Sequence, residues 1–242
     1  METVINIQEL SKSFGSNHVL RHFNVQLKQG QNMVVLGKSG SGKSVLIKCI
    51  IGLIQPDEGK ISVLGQNIPD LDHHELDTIR ARVGFLFQSN ALYDSMSVRE
   101  NLEFPLRRHR ATLGNEQVNA LVKEALENVG LEHTIDMQTS ELSGGMKKRI
   151  ALARTLILKP EIVLYDEPTT GLDPITAKEI STLMRDLAKK YQTSSIIISH
   201  DLNCVKIVAD TIVMLIDGFC YAHGTYEELG KSQDIKIKEF FE

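Results

Sequence analysis

The sequence predicts an α/β fold: a core of buried parallel strands, an antiparallel β layer ahead of it, and a helical lobe inserted into it. Three observations carry this. Short strand patterns separated by turns fill residues 1–36. Helical periodicity dominates from about residue 90 to residue 158. The continuous apolar runs Met33–Leu36, Ile162–Tyr165 and Ser195–Ile198 have the composition of strands covered on both faces.

In order along the chain, Val4, Ile5 and Ile7 open a strand, Gly15-Ser16-Asn17 marks a turn, and Val25 and Leu27 alternate with polar neighbours. Met33-Val34-Val35-Leu36 runs straight into a Gly-rich stretch. Ser44 to Leu53 reads as a helix, with Leu46, Ile47, Ile50 and Ile51 on one face. Val118, Leu121, Val122, Ala125, Leu126 and Val129 recur at helical spacing, and Gly130 stops them. The strands at Ile162–Tyr165 and Ser195–Ile198 flank a helix carrying Ala177, Ile180, Leu183, Met184 and Leu187. Thr211–Ile216 and Phe219–Ala222, joined at Asp217-Gly218, form a hairpin. Tyr226 to Glu242 reads as a short helical tail, and His73-His74 as part of a solvated polar loop. The expected organisation is one domain: an α/β core from 1–87 and 159–225, a helical lobe from 88–158, and a tail from 226–242.

Composition narrows the class. The 242 residues suit one large domain, and 42% hydrophobic with 24% charged residues is ordinary for a globular core. A net charge of −4 gives no basic field for nucleic acid. Cys49, Cys204 and Cys220 form no C-x-x-C pair, so they read as buried thiols in a reducing compartment. No apolar run approaches the roughly 18–20 residues that span a bilayer. Met1-Glu2-Thr3-Val4-Ile5-Asn6 lacks the basic start and apolar centre of a signal peptide. The expectation is a cytoplasmic protein whose link to any membrane runs through a partner.

The chemistry sits in three segments. Gly37-Lys38-Ser39-Gly40-Ser41-Gly42-Lys43-Ser44 satisfies every fixed position of a G-x-x-x-x-G-K-[ST] loop and lies between a strand and a helix. Its glycines let backbone N–H groups turn toward phosphate oxygens, and the following helix adds its positive end. Lys43 is placed to reach the β- and γ-phosphates of ATP, and Ser44 to offer a hydroxyl to Mg²⁺. Asp166 ends an apolar strand, where an inner carboxylate can hold a metal-bound water. Glu167 follows it and can polarise an attacking water. Leu142-Ser143-Gly144-Gly145 precedes a helix, so its amides can face a phosphate.

With these segments in order, the chain resembles the ATP-binding-cassette (ABC) ATPases over nearly its whole length. The 23 residues from Ser143 to Asp166 suit that family. The resemblance implies a P-loop NTPase (RecA-like) core and ATP hydrolysis. It also implies a head-to-tail homodimer, in which Ser143, Gly144 and Gly145 meet the ATP of the opposite subunit. Phe14 falls where an aromatic stacks on adenine, an interaction of about 1–3 kcal/mol per base. Gln88 matches a glutamine that touches Mg²⁺ and links core to lobe. Asp173 matches a loop that communicates across the dimer, and His200 a histidine that contacts the γ-phosphate. Phe14 stands in place of the more usual Tyr, and Met146 in place of the more usual Gln; neither change removes a catalytic group.

Ser140 to Arg149, with its Met146, is similar to the Mla/Mce group, the ATPase subunits of bacterial phospholipid transporters. Leu86 to Val98, Asn101 to Arg107, Gly171 to Thr176 and Ala222 to Thr225 agree. This resemblance implies an integral permease of MlaE type, an MCE-domain protein reached through it, and a place on the cytoplasmic face of the inner membrane. The stretch from Ala91 to Pro105, with Leu92, Tyr93, Met96, Val98 and Phe104, is where the permease is expected to dock, and charge at Tyr93 or Met96 is expected to uncouple transport. Two alternatives stay open: an importer ATPase for another solute such as an amino acid, and a non-transport cassette of the cell-division type. A regulatory domain after the cassette, as many such importers carry, is not expected here.

Overall fold

The structure, a computed structural model, describes residues 2–241; Met1 and Glu242, which close the first and last expected segments, lie outside them. Two sheets form its frame. β1 (Thr3–Phe14), β2 (Asn17–Lys28), β4 (Glu58–Val63) and β5 (Gln66–Asn67) make an antiparallel layer in the order β2-β1-β4-β5. β3 (Asn32–Leu36), β6 (Val83–Leu86), β7 (Ile162–Asp166), β8 (Ser194–Ser199), β9 (Thr211–Ile216) and β10 (Phe219–Gly224) make the core sheet, in the order β10-β9-β3-β8-β7-β6. All its neighbours pair in parallel except β10, which folds back on β9. Helices α1 (Lys43–Ile50), α2 (His73–Arg82), α3 (Val98–His109), α4 (Asn115–Glu127), α5 (Gly144–Leu156), α6 (Pro174–Tyr191) and α7 (Leu202–Val208) connect these strands, and α8 (Tyr226–Gly230) and α9 (Ile235–Phe241) follow β10.

The apolar runs of the core strands are explained by their two faces. Met33, Val35, Leu164, Ile196 and Val213 point to one cluster, shared with the antiparallel layer and with Leu46, Ile47 and Ile50 of α1. Val34, Leu36, Val163, Tyr165 and Ile197 point to the other, shared with α3 to α7. Side chains alternate across a strand, so a sheet covered on both sides must be apolar at every position.

Several elements differ from the sequence reading. The first 36 residues hold two 12-residue strands, longer than the short strands expected. α1 begins at Lys43 and stops at Ile50, because Gly52 turns the backbone left-handed with φ 67°. His73 and His74 open α2 and do not lie in a loop: the Asp72 carboxylate accepts from the backbone N–H of His74 and of Glu75, both at 2.8 Å, and caps the helix. The tail is two helices, docked through buried Leu229 and Ile237, with a Lys38–Glu239 ion pair of 2.8 Å at its end. Both partners of that pair are largely exposed, so water screens it and it adds little to the docking of the tail.

Candidate functional site

β3, β8 and β7 are neighbours whose registers pair Leu36 with Ser199 and Asp166 with Ile198. The residues just beyond, Gly37, His200 and Glu167, therefore leave the sheet at one edge. The carboxyl ends of parallel strands are where such sheets open a crevice for ligands.

The Gly-rich loop bridges β3 and α1. At Gly42, φ is 103°, and an added Cβ would lie 2.8 Å from a Val19 methyl and 2.9 Å from its carbonyl oxygen. No other residue type fits that turn. Lys43 follows, nearly fully buried, its Nζ donating to the carbonyls of Gly37 at 2.7 Å and Lys38 at 3.0 Å. Burial lowers its pKa, and the nearby charges of Glu167 and Asp166 pull it partly back. The Ser41 hydroxyl is buried without a hydrogen-bond partner. The loop thus presents a desolvated cation and an unmet hydroxyl on the backbone turn that the motif requires.

Ser44 Oγ donates to Asp166 Oδ1 at 3.0 Å, so the strand-end carboxylate and the loop hydroxyl are already in contact. Burial is the main cause that raises the Asp166 pKa; the Ser44 bond opposes it and the Glu167 charge adds to it. Glu167 takes a left-handed φ of 50°, a costly conformation for a residue with a side chain, and its N–H donates to Ile198 O at 3.0 Å. That turn aims the carboxylate back over the loop. Its Oε1 lies 3.9 Å from Lys43 Nζ, while Oε2 accepts from Thr170 Oγ1 at 3.2 Å and lies 2.8 Å from His200 Nδ1. The Glu167 side chain is 12% exposed and that of His200 is 62% exposed, so the pair spans the wall and the mouth of the crevice.

One cavity of about 540 Å³ gathers most of the expected residues: Phe14, Ser39, Gly40, Lys43, Glu167 and His200 line it, with Gly42, Ser44 and Gln88. Phe14, at the end of β1, is half exposed with Lys12 Nζ 5.4 Å from its ring centre. Val19 and Val45 add apolar wall that the sequence reading did not assign. Thr170 was also missed; its position three residues after Glu167, in a Thr-Thr-Gly turn, was the available signal.

The remaining expected residues lie elsewhere. Gly37 stays at the sheet edge, and Lys38 and Ser41 line a neighbouring cavity that also touches α9. Ser143 caps α5, its Oγ accepting from Met146 N at 3.3 Å, and Gly144 and Gly145 form the first turn of that helix. Asp173 caps α6 through the N–H groups of Ile175 and Thr176 at 3.0 and 3.1 Å; the Thr176 hydroxyl bond, and then the bonds from these N–H groups, hold its pKa down. Gly145 packs beside Thr176, so these two helix starts are neighbours, but neither lines the cavity of Phe14 and Lys43.

The expected docking stretch divides. Val98 is fully buried and Leu92 packs against the core, so neither faces out as expected. Tyr93 and Phe104 do, around a second cleft of about 280 Å³ between α2, α3 and α5, joined there by Phe87 from outside the expected stretch, while Met96 is half-buried and does not line the cleft. The rings of Tyr93 and Phe104 meet at a tilt of 52° with their centres 4.8 Å apart, backed by Arg154.

The family model for "ABC transporter" matches residues 20–170. The intermembrane phospholipid transport system ATP-binding protein MlaF of Haemophilus influenzae is 38% identical over 99% of this chain and 90% of its own length. The probable ribonucleotide transport ATP-binding protein mkl of Mycobacterium leprae is 37% identical over 99% of this chain and 69% of its own. The dimeric ATP-binding cassette MJ0796, solved in a post-hydrolysis state with ADP and Pi, superposes with a TM-score of 0.83 at 30% identity, covering 91% of this chain and 98% of its own.

Proposed function

The chain belongs to the ABC transporter family, and from that premise we propose that it is the ATP-hydrolysing subunit of a transporter that carries phospholipid between the inner and outer membranes. The observation that carries the ATPase reading is the single cavity in which the Gly-rich loop, Phe14, Gln88, Glu167 and His200 face one another. Phe14 and Val19 take the adenine, and the loop amides with Lys43 take the phosphates. Glu167 accepts the proton of the attacking water, held in aim by Thr170 and His200. His200, at the mouth, contacts the γ-phosphate.

Mg²⁺ fits the donor set. Ser44 and Asp166 offer hard oxygens already 3.0 Å apart, Gln88 lines the cavity with Ser44 and Glu167, and the adjacent carboxylates of Asp166 and Glu167 favour a cation. When bound it neutralises charge on the phosphates.

Ser143, Gly144, Gly145 and Asp173 act, on this reading, on the ATP of a second copy in a head-to-tail homodimer. A Cβ on Gly144 would meet no atom of its own chain within 4 Å, so the fold itself does not require glycine there. Ile175, beside Asp173, is 74% exposed, an apolar side chain ready to be covered. ATP drives closure only through its greater affinity for the closed pair.

Among the described residues no helix is long and apolar enough to cross a membrane. The membrane partner is then an integral permease of MlaE type, met at the cleft of Phe87, Tyr93 and Phe104 on the cytoplasmic face, with an MCE-domain protein beyond it. Tyr93 is braced by Arg154, so Phe104→Glu is the cleaner probe. It is expected to abolish co-purification of the permease while leaving affinity for ATP within twofold; normal co-purification and transport would remove this cleft from the docking surface.

The phospholipid cargo rests on the likeness to MlaF, and a second cargo has support of its own, since the mkl relative is named for ribonucleotide transport at nearly equal identity. A mild-detergent pull-down of the tagged chain, with lipidomics and protein identification, separates them. A polytopic permease, an MCE-domain protein and phospholipid are the expected eluate. A permease eluting with nucleotide or amino acid and no lipid would overturn the cargo and leave the ATPase reading standing.

A further inference from the structure

The proposed activity leaves two basic side chains of α5 without a role. α5 is the helix that starts at Ser143-Gly144-Gly145. Lys148, in its second turn, is only 2% exposed, and among the described residues no carboxylate pairs with it. Its Nζ donates to the main-chain carbonyl of Gln88 at 3.2 Å. Further along the helix, Arg154 donates through Nη2 to the carbonyl of Asn90 at 3.0 Å and through Nη1 to Asn101 Oδ1 at 3.4 Å. A buried ammonium without a counter-ion weakens a fold relative to an apolar side chain of the same volume. Stability therefore does not explain why a lysine stands there.

The gripped segment explains it better. Asn90 and Ala91 both adopt left-handed backbone, with φ of 65° and 50°, and Asn90 Oδ1 is buried without a hydrogen-bond partner. Backbone of this kind persists only where its surroundings over-determine it. The surroundings here are the two cations of α5 and the turn bond from Asn90 N–H to Phe87 O at 3.0 Å, and two residues before Asn90 stands Gln88, which lines the cavity of Lys43 and Glu167.

We propose that Lys148, seconded by Arg154, is a positioning residue that ties Gln88 to α5 through the main chain, so that displacement of the Ser143–Gly145 helix start is delivered to the metal side of the nucleotide cavity. The consequence at the metal rests on the ATPase reading above; the tie itself does not.

The test compares the full chain with Lys148→Met and Lys148→Arg. Amide hydrogen exchange is read without nucleotide, thermal melting beside it, and steady-state ATP hydrolysis last. Lys148→Met is expected to melt cooperatively at or above the parent temperature. Exchange at the Asn90 amide, which donates to Phe87 O at 3.0 Å, is expected to rise tenfold or more, with the rest of the chain within twofold, and Lys148→Arg to restore protection. Turnover by Lys148→Met is expected to fall tenfold, with the Mg²⁺ concentration for half-maximal rate raised at least fivefold. Unchanged exchange at Asn90, a uniform rise across α5 and the core sheet, or loss of the cooperative melt would each overturn the proposal, the last two by making Lys148 structural. Because exchange is read without nucleotide, that result stands apart from any failure of the ATPase reading, which Glu167→Gln addresses.

Discussion

Glu167→Gln is expected to lower ATP turnover by about a hundredfold or more while leaving ATP affinity within about threefold; positioned general bases contribute roughly 10²–10⁴-fold. The substitution keeps the shape but replaces one acceptor oxygen by an NH₂ that can only donate, so no carboxylate is left to take a proton. The left-handed backbone at Glu167 is anchored by its own N–H on β8 and is untouched by the change. Thr170 can still donate to the remaining carbonyl oxygen of the amide, and Lys43 keeps its loop partners. Binding should thus survive while the chemical step stops. A variant that binds but cannot hydrolyse should also accumulate as a closed dimer in ATP, seen as a shift to twice the monomer mass on size exclusion. His200→Ala should cost less, because the mostly exposed imidazole supports the carboxylate from outside. Full hydrolysis by Glu167→Gln, measured as phosphate release, would transfer the proton-accepting role to another group.

How much of this was legible in the sequence depends on whether the signal was local. The loop, the strand-end Asp166-Glu167 and the start of α5 are short segments whose chemistry is set by residue type and spacing, and each falls where its pattern places it. The hairpin at Asp217-Gly218 was equally legible, since both residues take the positive φ that this turn demands. β4 and α2 were not. In β4 only Ile61 and Val63 are apolar, and the strand exists because they face Ile7 and Ile5 of β1 across more than fifty residues of chain. α2 buries only Leu76 and Ile79 and owes its start to the Asp72 cap. In the docking stretch, Val98 looked like its exposed neighbours until α3 turned it inward, because a mixed run does not say which face meets the core. Lys148 was invisible for the opposite reason: a lysine in a basic run reads as solvated, and only the fold reveals that it is buried against Gln88 O.

Lys43→Ala is the second large effect, and it should fall on binding. In the protein Lys43 Nζ is held by two loop carbonyls and stands 3.9 Å from Glu167, at the inner wall of the cavity. Phosphate oxygens entering that cavity would meet a cation that burial has already stripped of water. Charge-assisted hydrogen bonds there are worth about 1.5–3 kcal/mol each, so losing contacts to two phosphates costs about 3 kcal/mol or more, a hundredfold or greater loss of affinity. Truncation does more than delete the attraction. It leaves Asp166 and Glu167 facing the incoming phosphates without a neighbouring cation, and desolvated like charges repel strongly. The fold should change little, because α1 stays packed through Leu46, Ile47 and Ile50 and the loop keeps its glycines. Titration with a fluorescent ATP analogue, set beside a thermal melt without nucleotide, separates the two effects. A hundredfold rise in Kd with a melting temperature within a few degrees is the expected pair of results. An unchanged Kd would mean that the phosphates lie elsewhere, and Glu167 could then no longer be aimed at the γ-phosphate, because both side chains line the same cavity wall.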